Sequence, residues 1–500
     1  MAVDQQLEIE RKYDVAADTR VPDLTGTAGV TSVADPVEHR LVATYFDTAG
    51  LRLLRAGISL RRRAGGHDEG WHLKLPDEGG GRHELHVPLT AGSEDEVPAE
   101  LRDLVLGRVR REPLAPVARL RTNRTVHVLL GGGTPLAELC DDRVSAETMA
   151  GDPAVDAWRE WELELLAGPA KLLDQSEPLI LAAGATLAAG PSKVRRALGD
   201  RLLTSGTPGP GREGSTRELL CHHLAHHVER LQREDLLLRA GEHEGVHQMR
   251  IAARRLRSAL ATYRRVFAPG TTDGLREELR WLGRLLAGAR DAQVLRERLV
   301  ELAATQPPEV ILGPVVRRIE AELDAAFRRD RERALEELRG ERYLRLLDTL
   351  DAFAADPPFA ARADKPAGKV LPSLLERDLR RMRKRHKAWR RSEPGQRDHA
   401  LHEVRKAAKR LRYAAETAEP VLGRRARRWA AAAQGVQQLL GEHQDTVVAR
   451  TVLREIGVRA HLDGENGFSF GRLHALEEAR AADLVRRLPK RWSAVPSGKL

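Results

Sequence analysis

Glu8, Glu10 and Lys12 alternate with Leu7, Ile9 and Tyr13 in the run Leu-Glu-Ile-Glu-Arg-Lys-Tyr. Successive side chains on a strand point to opposite faces, so two carboxylates and one ammonium share a face, about 7 Å apart in each step. That face is no ordinary core. It suits half of a site for a divalent cation and a strongly anionic ligand, because hard cations take carboxylate oxygens while ammonium and guanidinium groups take phosphate. The same alternation gathers charge elsewhere: Arg61 with Arg63, Lys74 between Leu73 and Leu75, Arg82 with Glu84, Arg119 with Arg121, and Glu160, Glu162 and Glu164 between Trp161, Leu163 and Leu165. Arg124 has the opposite parity to Arg121 unless its strand is bulged. A solvent-facing side would account for any one of these strands. Six together point to a charged interior, where charges must be paired or must hold ions.

Those residues need strands to position them. Up to about residue 166 the pattern predicts strands at 5–14, 39–46, 57–63, 69–75, 82–89, 117–130, 135–148 and 158–166, with helices near 97–110 and 170–188. So many antiparallel strands in one small domain suggest a closed or nearly closed barrel with outside helices. Residues 204–216, rich in Gly, Pro, Ser and Thr, form a flexible linker by composition. From 217 to about 486 the period becomes 3.6 and the chain should be all helix. The fold class is therefore α+β and multidomain, with domains at 1–203 and 217–490.

The helical half repeats itself. His247, Arg250, Arg254 and Arg257 are echoed by His402, Arg405, Lys409 and Arg412, and Leu285–Asp291 by Leu439–Asp445, at nearly one offset. This marks a duplicated helical bundle. Steps of three and four place each basic set on one helical stripe, and the run 377–391, with Arg380 and Lys384, adds a third cationic helix. Like charges stacked at that spacing cost stability, and a bound polyanion offsets the cost.

Composition agrees. The 500 residues carry a formal charge of +10, but residues 1–200 hold 24 basic against 32 acidic groups and the remainder 59 against 41. An acidic half is joined to a basic half that should meet a polyanion. Cys140 and Cys221 are the only cysteines, which fits a reducing cytoplasm and offers no thiolate cage. The start lacks a basic-then-apolar signal, and the longest apolar stretch, Leu179 to Ala189, is too short to span a bilayer. A soluble cytoplasmic protein is expected. Neither a Ser-His-Asp or Cys-His arrangement nor a Walker-type loop is evident, so a covalent intermediate is not indicated. His222, His223, His226 and His227 have spacing that could bind zinc or nickel, but a surface role is preferred because no third ligand is evident.

The Glu8-x-Glu10-x-Lys12 signature resembles the CYTH family of adenylyl cyclases and thiamine triphosphatases. Tyr45-Phe46-Asp47-Thr48, Leu60-Arg61-x-Arg63, Leu73-Lys74, Arg82-x-Glu84, Glu160–Glu164 and Ser192-Lys193 follow in the family's order. The resemblance implies a triphosphate tunnel, an antiparallel barrel open at both ends. It implies that Lys12, Arg61, Arg63, Lys74, Arg82, Arg121 or Arg124, and Lys193 bind phosphates. Glu8, Glu10, Asp141, Glu162 and Glu164, with Glu84 in addition, would hold magnesium or manganese, and Glu8, Glu10 and Lys12 would form the catalytic centre. The choices between Asp141 and Asp142 and between Glu160 and Glu164 stay open. The region from 217 to 490 resembles the CHAD domain, a family associated with inorganic polyphosphate. A linear phosphate polymer needs only a charged groove, whereas single-stranded nucleic acid also wants stacking aromatics, which are scarce at 4% of the chain. The expected protein is a metal-dependent triphosphatase joined to a polyphosphate-binding domain, which could sit at polyphosphate bodies. Cyclase chemistry ranks lower, and the rival class is a non-catalytic polyphosphate scaffold.

Overall fold

The computed structural model describes residues 4–66, 68–76, 82–149, 154–188, 190, 192–202, 209, 211 and 213–497, without the side chains of 4–8, 82, 83, 154 and 243. The chain divides into two compact units, Met1–Gly206 and Thr207–Leu500. Most of the expected 204–216 linker lies outside the described residues. Its far end is ordered, because Ser215 and Glu218 form a reciprocal capping box and the helix starts at Thr216.

The first unit is built on strands β1 (Asp4–Glu8), β2 (Glu10–Val15), β3 (Ser32–Val33), β4 (Val37–Asp47), β5 (Ser59–Ala64), β6 (Gly70–Pro76), β7 (Arg82–Val87), β8 (Ala115–Gly131), β9 (Thr134–Thr148), β10 (Ala154–Leu165) and β11 (Thr186–Leu187). All eight expected strands are present. The short β3 and β11, and helices Arg52–Arg55 and Lys193–Leu198, had too little periodicity to be legible. The long β8–β9 hairpin turns on Gly132 and Gly133, whose φ angles of 60° and 87° suit the two-residue turns that follow strand twist.

The strands pair in the order β1-β7-β6-β5-β4-β8-β9-β10-β2-β11, with β3 on β8. Among the described residues no ladder joins the two ends, so the sheet is antiparallel with flanking helices but is not sealed by hydrogen bonds. The chain itself crosses between those ends at Ile9. The expected strand 5–14 breaks there: β1 pairs with β7 and β2 with β10, so consecutive segments of chain stand near opposite ends of the pairing order. The Ile9 carbonyl accepts the Leu165 N–H at 3.0 Å.

Alternation decides what is covered. Trp161 and Leu163 of β10 and Tyr13 of β2 pack with Leu172 and Ile180 of helix Lys171–Ala182, and Val194 and Leu198 pack on Tyr45, Ala118 and Val144. Asp47 ends β4 as a cap rather than a ligand. Its buried carboxylate accepts the backbone N–H groups of Thr48, Leu53 and Leu54 at 2.7, 3.0 and 2.9 Å. Asp47→Ala should therefore cost about 3 kcal/mol by orphaning buried donors. The check is earlier urea-induced hydrogen exchange across peptides 37–64.

The second unit is helical. It includes Thr216–Arg239, His243–Thr262, Asp273–Leu285, Ala287–Ala304, Ala367–Trp389, Arg397–Leu422, Arg424–Leu462 and Phe468–Trp492. None of the described helices is long and apolar enough to cross a membrane.

Candidate functional site

With Trp161 and Leu163 turned outward, Glu160, Glu162 and Glu164 face the other way, and register supplies their neighbours. Glu164 lies opposite Glu10 on β2 and Glu138 on β9, and Glu162 lies opposite Lys12. Glu160 lies opposite Asp142, which lies opposite Arg124 on β8. Arg61, Arg63 and Lys74 come from β5 and β6. Glu10, Lys12, Arg61, Arg63, Lys74, Glu84, Arg124, Glu138, Glu162, Glu164 and Lys193 all line one cavity of about 380 Å³.

The interior charges are arranged in layers. The Glu162 carboxylate takes bonds from Lys12, Arg124 and, at 2.6 Å, Lys193. The Lys193 ammonium also lies 2.9 Å from Asp142 and 2.7 Å from Glu160. Burial works against a charged Glu162, yet Lys12, Lys193 and Arg124 together hold its carboxyl well below the usual range. The level of Glu10, Glu138 and Glu164 differs. Burial, and then Glu10, push the Glu164 carboxyl up. Across the cavity burial, and then Arg61 and Arg124, bring the Arg63 guanidinium down to about 10. Glu164 is thus pressed by a like carboxylate and Arg63 by like guanidiniums, although Lys12 lies 3.0 Å from Glu10 and Asp68 pairs with Arg63. The first is relieved by a hard cation and the second by an anion. Asp142, Glu160 and Glu162 also stand close enough to share a metal, but Lys193 bridges all three.

Two expected residues face elsewhere. Arg121 is 57% exposed and 3.6 Å from Glu147, and Asp141 is held by Arg159 at 2.7 Å outside the cavity. The β8–β9 ladder is regular from Ala118 to Leu129, so no bulge brings Arg121 to the side of Arg124, and Asp142 rather than Asp141 turns inward. The side chains of Glu8 and Arg82 lie outside those described, although their backbones pair across β1 and β7. Lys74 lies 3.2 Å and Arg61 3.7 Å from Glu84, which also accepts from His72 at 2.8 Å. Glu84 is thus shared among nitrogen groups. Glu138 and His72 were overlooked. The parity of Asp142 and of Lys74 was the signal for each.

In the helical unit, Arg254, Arg257, Arg405 and Lys409 from the two stripes line one hollow of about 520 Å³, with Arg276, Arg280, Arg381, Arg385 and Arg410 and only one acid, Glu403. The third basic helix contributes Arg381 and Arg385 rather than Arg380 and Lys384. One residue along a helix is a rotation of about 100°, and Arg380 is 67% exposed beside Glu376. The stripe ends turn away too. Arg250 pairs with Asp291 at 2.8 Å, His402 bonds Gln444, Arg412 bonds Glu416, and His247 lies outside the lining. Asp291, in the second repeated motif, therefore anchors the end of the first stripe through an ion pair. Within the hollow, burial and then Arg254 and Arg405 bring the Lys409 ammonium down to about 6. The inner histidines are not plain surface: His227 is buried against His223, with ring centroids 4.5 Å apart.

The family model of the CYTH domain matches residues 6–197, and that of the CHAD domain matches residues 222–454. The chain belongs to the family of proteins that join an N-terminal CYTH domain to a C-terminal CHAD domain. It is 39% identical over 98% of its length, and 96% of theirs, to the proteins named Uncharacterized protein Rv2226 and Uncharacterized protein MT2285, from the H37Rv and CDC 1551 / Oshkosh strains of Mycobacterium tuberculosis. Among solved structures, the CHAD domain from the plant Ricinus communis is 26% identical with a TM-score of 0.47, covering 59% of this chain and 97% of its own. PptA from Streptomyces chartreusis is 19% identical with a TM-score of 0.49, covering 56% and 100%.

Proposed function

We propose that the N-terminal unit is a divalent-metal-dependent triphosphatase, with inorganic triphosphate as first substrate, and that the helical unit binds polyphosphate. In this reading the sheet wraps its ligand as a tunnel. CYTH and CHAD domains are associated with triphosphate and polyphosphate in general. The observation that carries the proposal is a single cavity with Glu10, Glu138 and Glu164 at one level and Arg61, Arg63 and Lys74 in the same lining.

Carboxylate oxygens suit magnesium or manganese, and Glu10, Glu164 and Glu138, register neighbours on one wall of the cavity, would draw together around such an ion. When bound, such an ion neutralises charge on phosphoryl oxygens and lowers the pKa of a water. Arg61, Arg63 and Lys74 bind and orient the phosphate chain, since phosphoryl transfer asks mostly for positioning and charge neutralisation. Lys12 and Lys193, held by the acidic cluster, stand ready to move onto substrate oxygens. In the helical hollow, Arg254, Arg257, Arg405 and Lys409 bind successive phosphates without any base-reading group.

The test is a phosphate-release panel across tripolyphosphate, ATP, thiamine triphosphate and long polyphosphate. Wild-type protein should release phosphate from tripolyphosphate only with magnesium or manganese, and Glu10→Ala should lower the rate at least about 100-fold. Full activity in Glu10→Ala refutes the metal assignment. Binding without any release by the wild type favours the scaffold reading instead.

A further inference from the structure

His72 and His86 are register partners on β6 and β7, with ring centroids 4.9 Å apart. Asp68, in the connection from β5 to β6, reaches toward both rings. Its Oδ1 lies 3.7 Å from His72 Nε2 and 3.9 Å from His86 Nε2, while its Oδ2 pairs with Arg63. The two carboxylate oxygens are thus split between a guanidinium and an imidazole pair. One ligand atom from each of Asp68, His72 and His86 falls within 4.8 Å of the others.

The surroundings of His72 imply that something is shared there. Its Nδ1 lies 2.8 Å from Glu84 Oε1, and its Nε2 lies 3.1 Å from the Asp68 carbonyl oxygen. A neutral imidazole carries one N–H, so with oxygens at both ends one ring nitrogen directs a lone pair at an oxygen. The Glu84 carboxylate claims the proton at Nδ1, which leaves the Nε2 lone pair facing Asp68. A cation between them turns that repulsive contact into coordination. The Glu84–His72 bond is then the outer carboxylate that metal-binding histidines usually have, fixing the tautomer and the ring plane. His86 Nε2 lies 3.2 Å from the Glu69 carbonyl oxygen, a contact that a bound cation would replace.

We propose that Asp68, His72 and His86 form a second metal site, for a borderline divalent cation with zinc as first choice, distinct from the carboxylate set of Glu10, Glu138 and Glu164. Two imidazoles and one carboxylate suit zinc, whereas magnesium takes oxygen donors and dehydrates reluctantly. Ligands of a tetrahedral ion at about 2.0 Å stand about 3.3 Å apart, against 3.7 and 3.9 Å from Asp68 Oδ1 to the two imidazoles and at most 4.8 Å within the set, so the donors close inward on binding. Three protein ligands leave a fourth position for water or for a terminal phosphate oxygen. The site therefore adds a fixed positive charge next to Arg63 in the same cavity lining.

The experiment uses the full chain, stripped of metal and titrated with cobalt(II) and then zinc in excess magnesium. Cobalt should give the intense visible bands of a low-coordinate, nitrogen-ligated ion, and zinc should displace it. His86→Ala and Asp68→Asn, both on partly exposed side chains, should each weaken zinc binding at least about tenfold while circular dichroism and melting stay as in the wild type. Glu10→Ala should bind zinc like the wild type. Wild-type zinc affinity in both His86→Ala and Asp68→Asn overturns the proposal. So does a weak, octahedral cobalt spectrum from the wild type. Triphosphatase activity is not the readout, so this result is independent of the catalytic proposal.

Discussion

Glu162→Gln should destabilise the N-terminal unit by about 3–5 kcal/mol, the usual cost of removing one partner from a buried charge network. Lys12, Arg124 and Lys193 converge on this carboxylate, and all three would keep their charge without it. The pH dependence follows from the sign. A carboxyl held below its ordinary value contributes stability that is fully present above the unfolded pKa, and the contribution is lost as pH falls toward the folded one. Wild-type stability should therefore decline as pH drops below about 4.3, and the variant should decline less steeply. Acid and urea titrations followed by hydrogen exchange on β10 measure this. Combining Glu162→Gln with Lys12→Met should cost less than the two changes summed, by about 0.5–3 kcal/mol, since they share a partner. Strict additivity rules the network out.

The second large effect belongs to Lys409. In the free protein its ammonium titrates at about 6, against an ordinary 10.5, because it is buried among guanidiniums. A polyphosphate in the hollow replaces like charge with opposite charge and raises that value. Binding should thus take up as much as one proton near neutral pH. Affinity should weaken as pH climbs above about 6, by at most about tenfold per unit, until the bound-state value is passed. Calorimetry in buffers of differing ionisation enthalpy counts the proton. Lys409→Met should move stability and affinity in opposite directions. Between about 6 and 10.5 the unfolded chain binds the proton that the folded chain lacks, so Lys409 costs stability on the order of 4 kcal/mol near neutrality. Removing it should stabilise the helical unit while weakening polyphosphate binding. Loss of both together contradicts the assignment.

Much of this was legible in the chain because a strand writes its two faces in alternate letters. Glu10 and Lys12, Arg61 and Arg63, and Glu162 and Glu164 share a cavity because each pair shares a parity, and Trp161 shares a covered face with Leu163 for the same reason. Parity says nothing about which face is inside when charge occurs on both. That is why Asp141 and Arg121, beside inward Asp142 and Arg124, were misplaced. A helix is less forgiving, because a shift of one residue turned the third basic helix from Arg381 and Arg385 to Arg380 and Lys384. The parity of Lys74 marks His72 as inward, but its juxtaposition with His86 depends on the β6–β7 register, which no local pattern states.

The divided strand at Ile9 bears on how the protein comes to exist. Glu10 and Lys12 leave the ribosome well over a hundred residues before their hydrogen-bonded partner β10, which begins at Ala154. Contacts so distant in sequence form late, after the loop-closure entropy has been met. Until Leu165 has emerged, the nascent chain carries an unmatched edge and a half-built set of charges, which makes that interval its time of greatest exposure to misassociation.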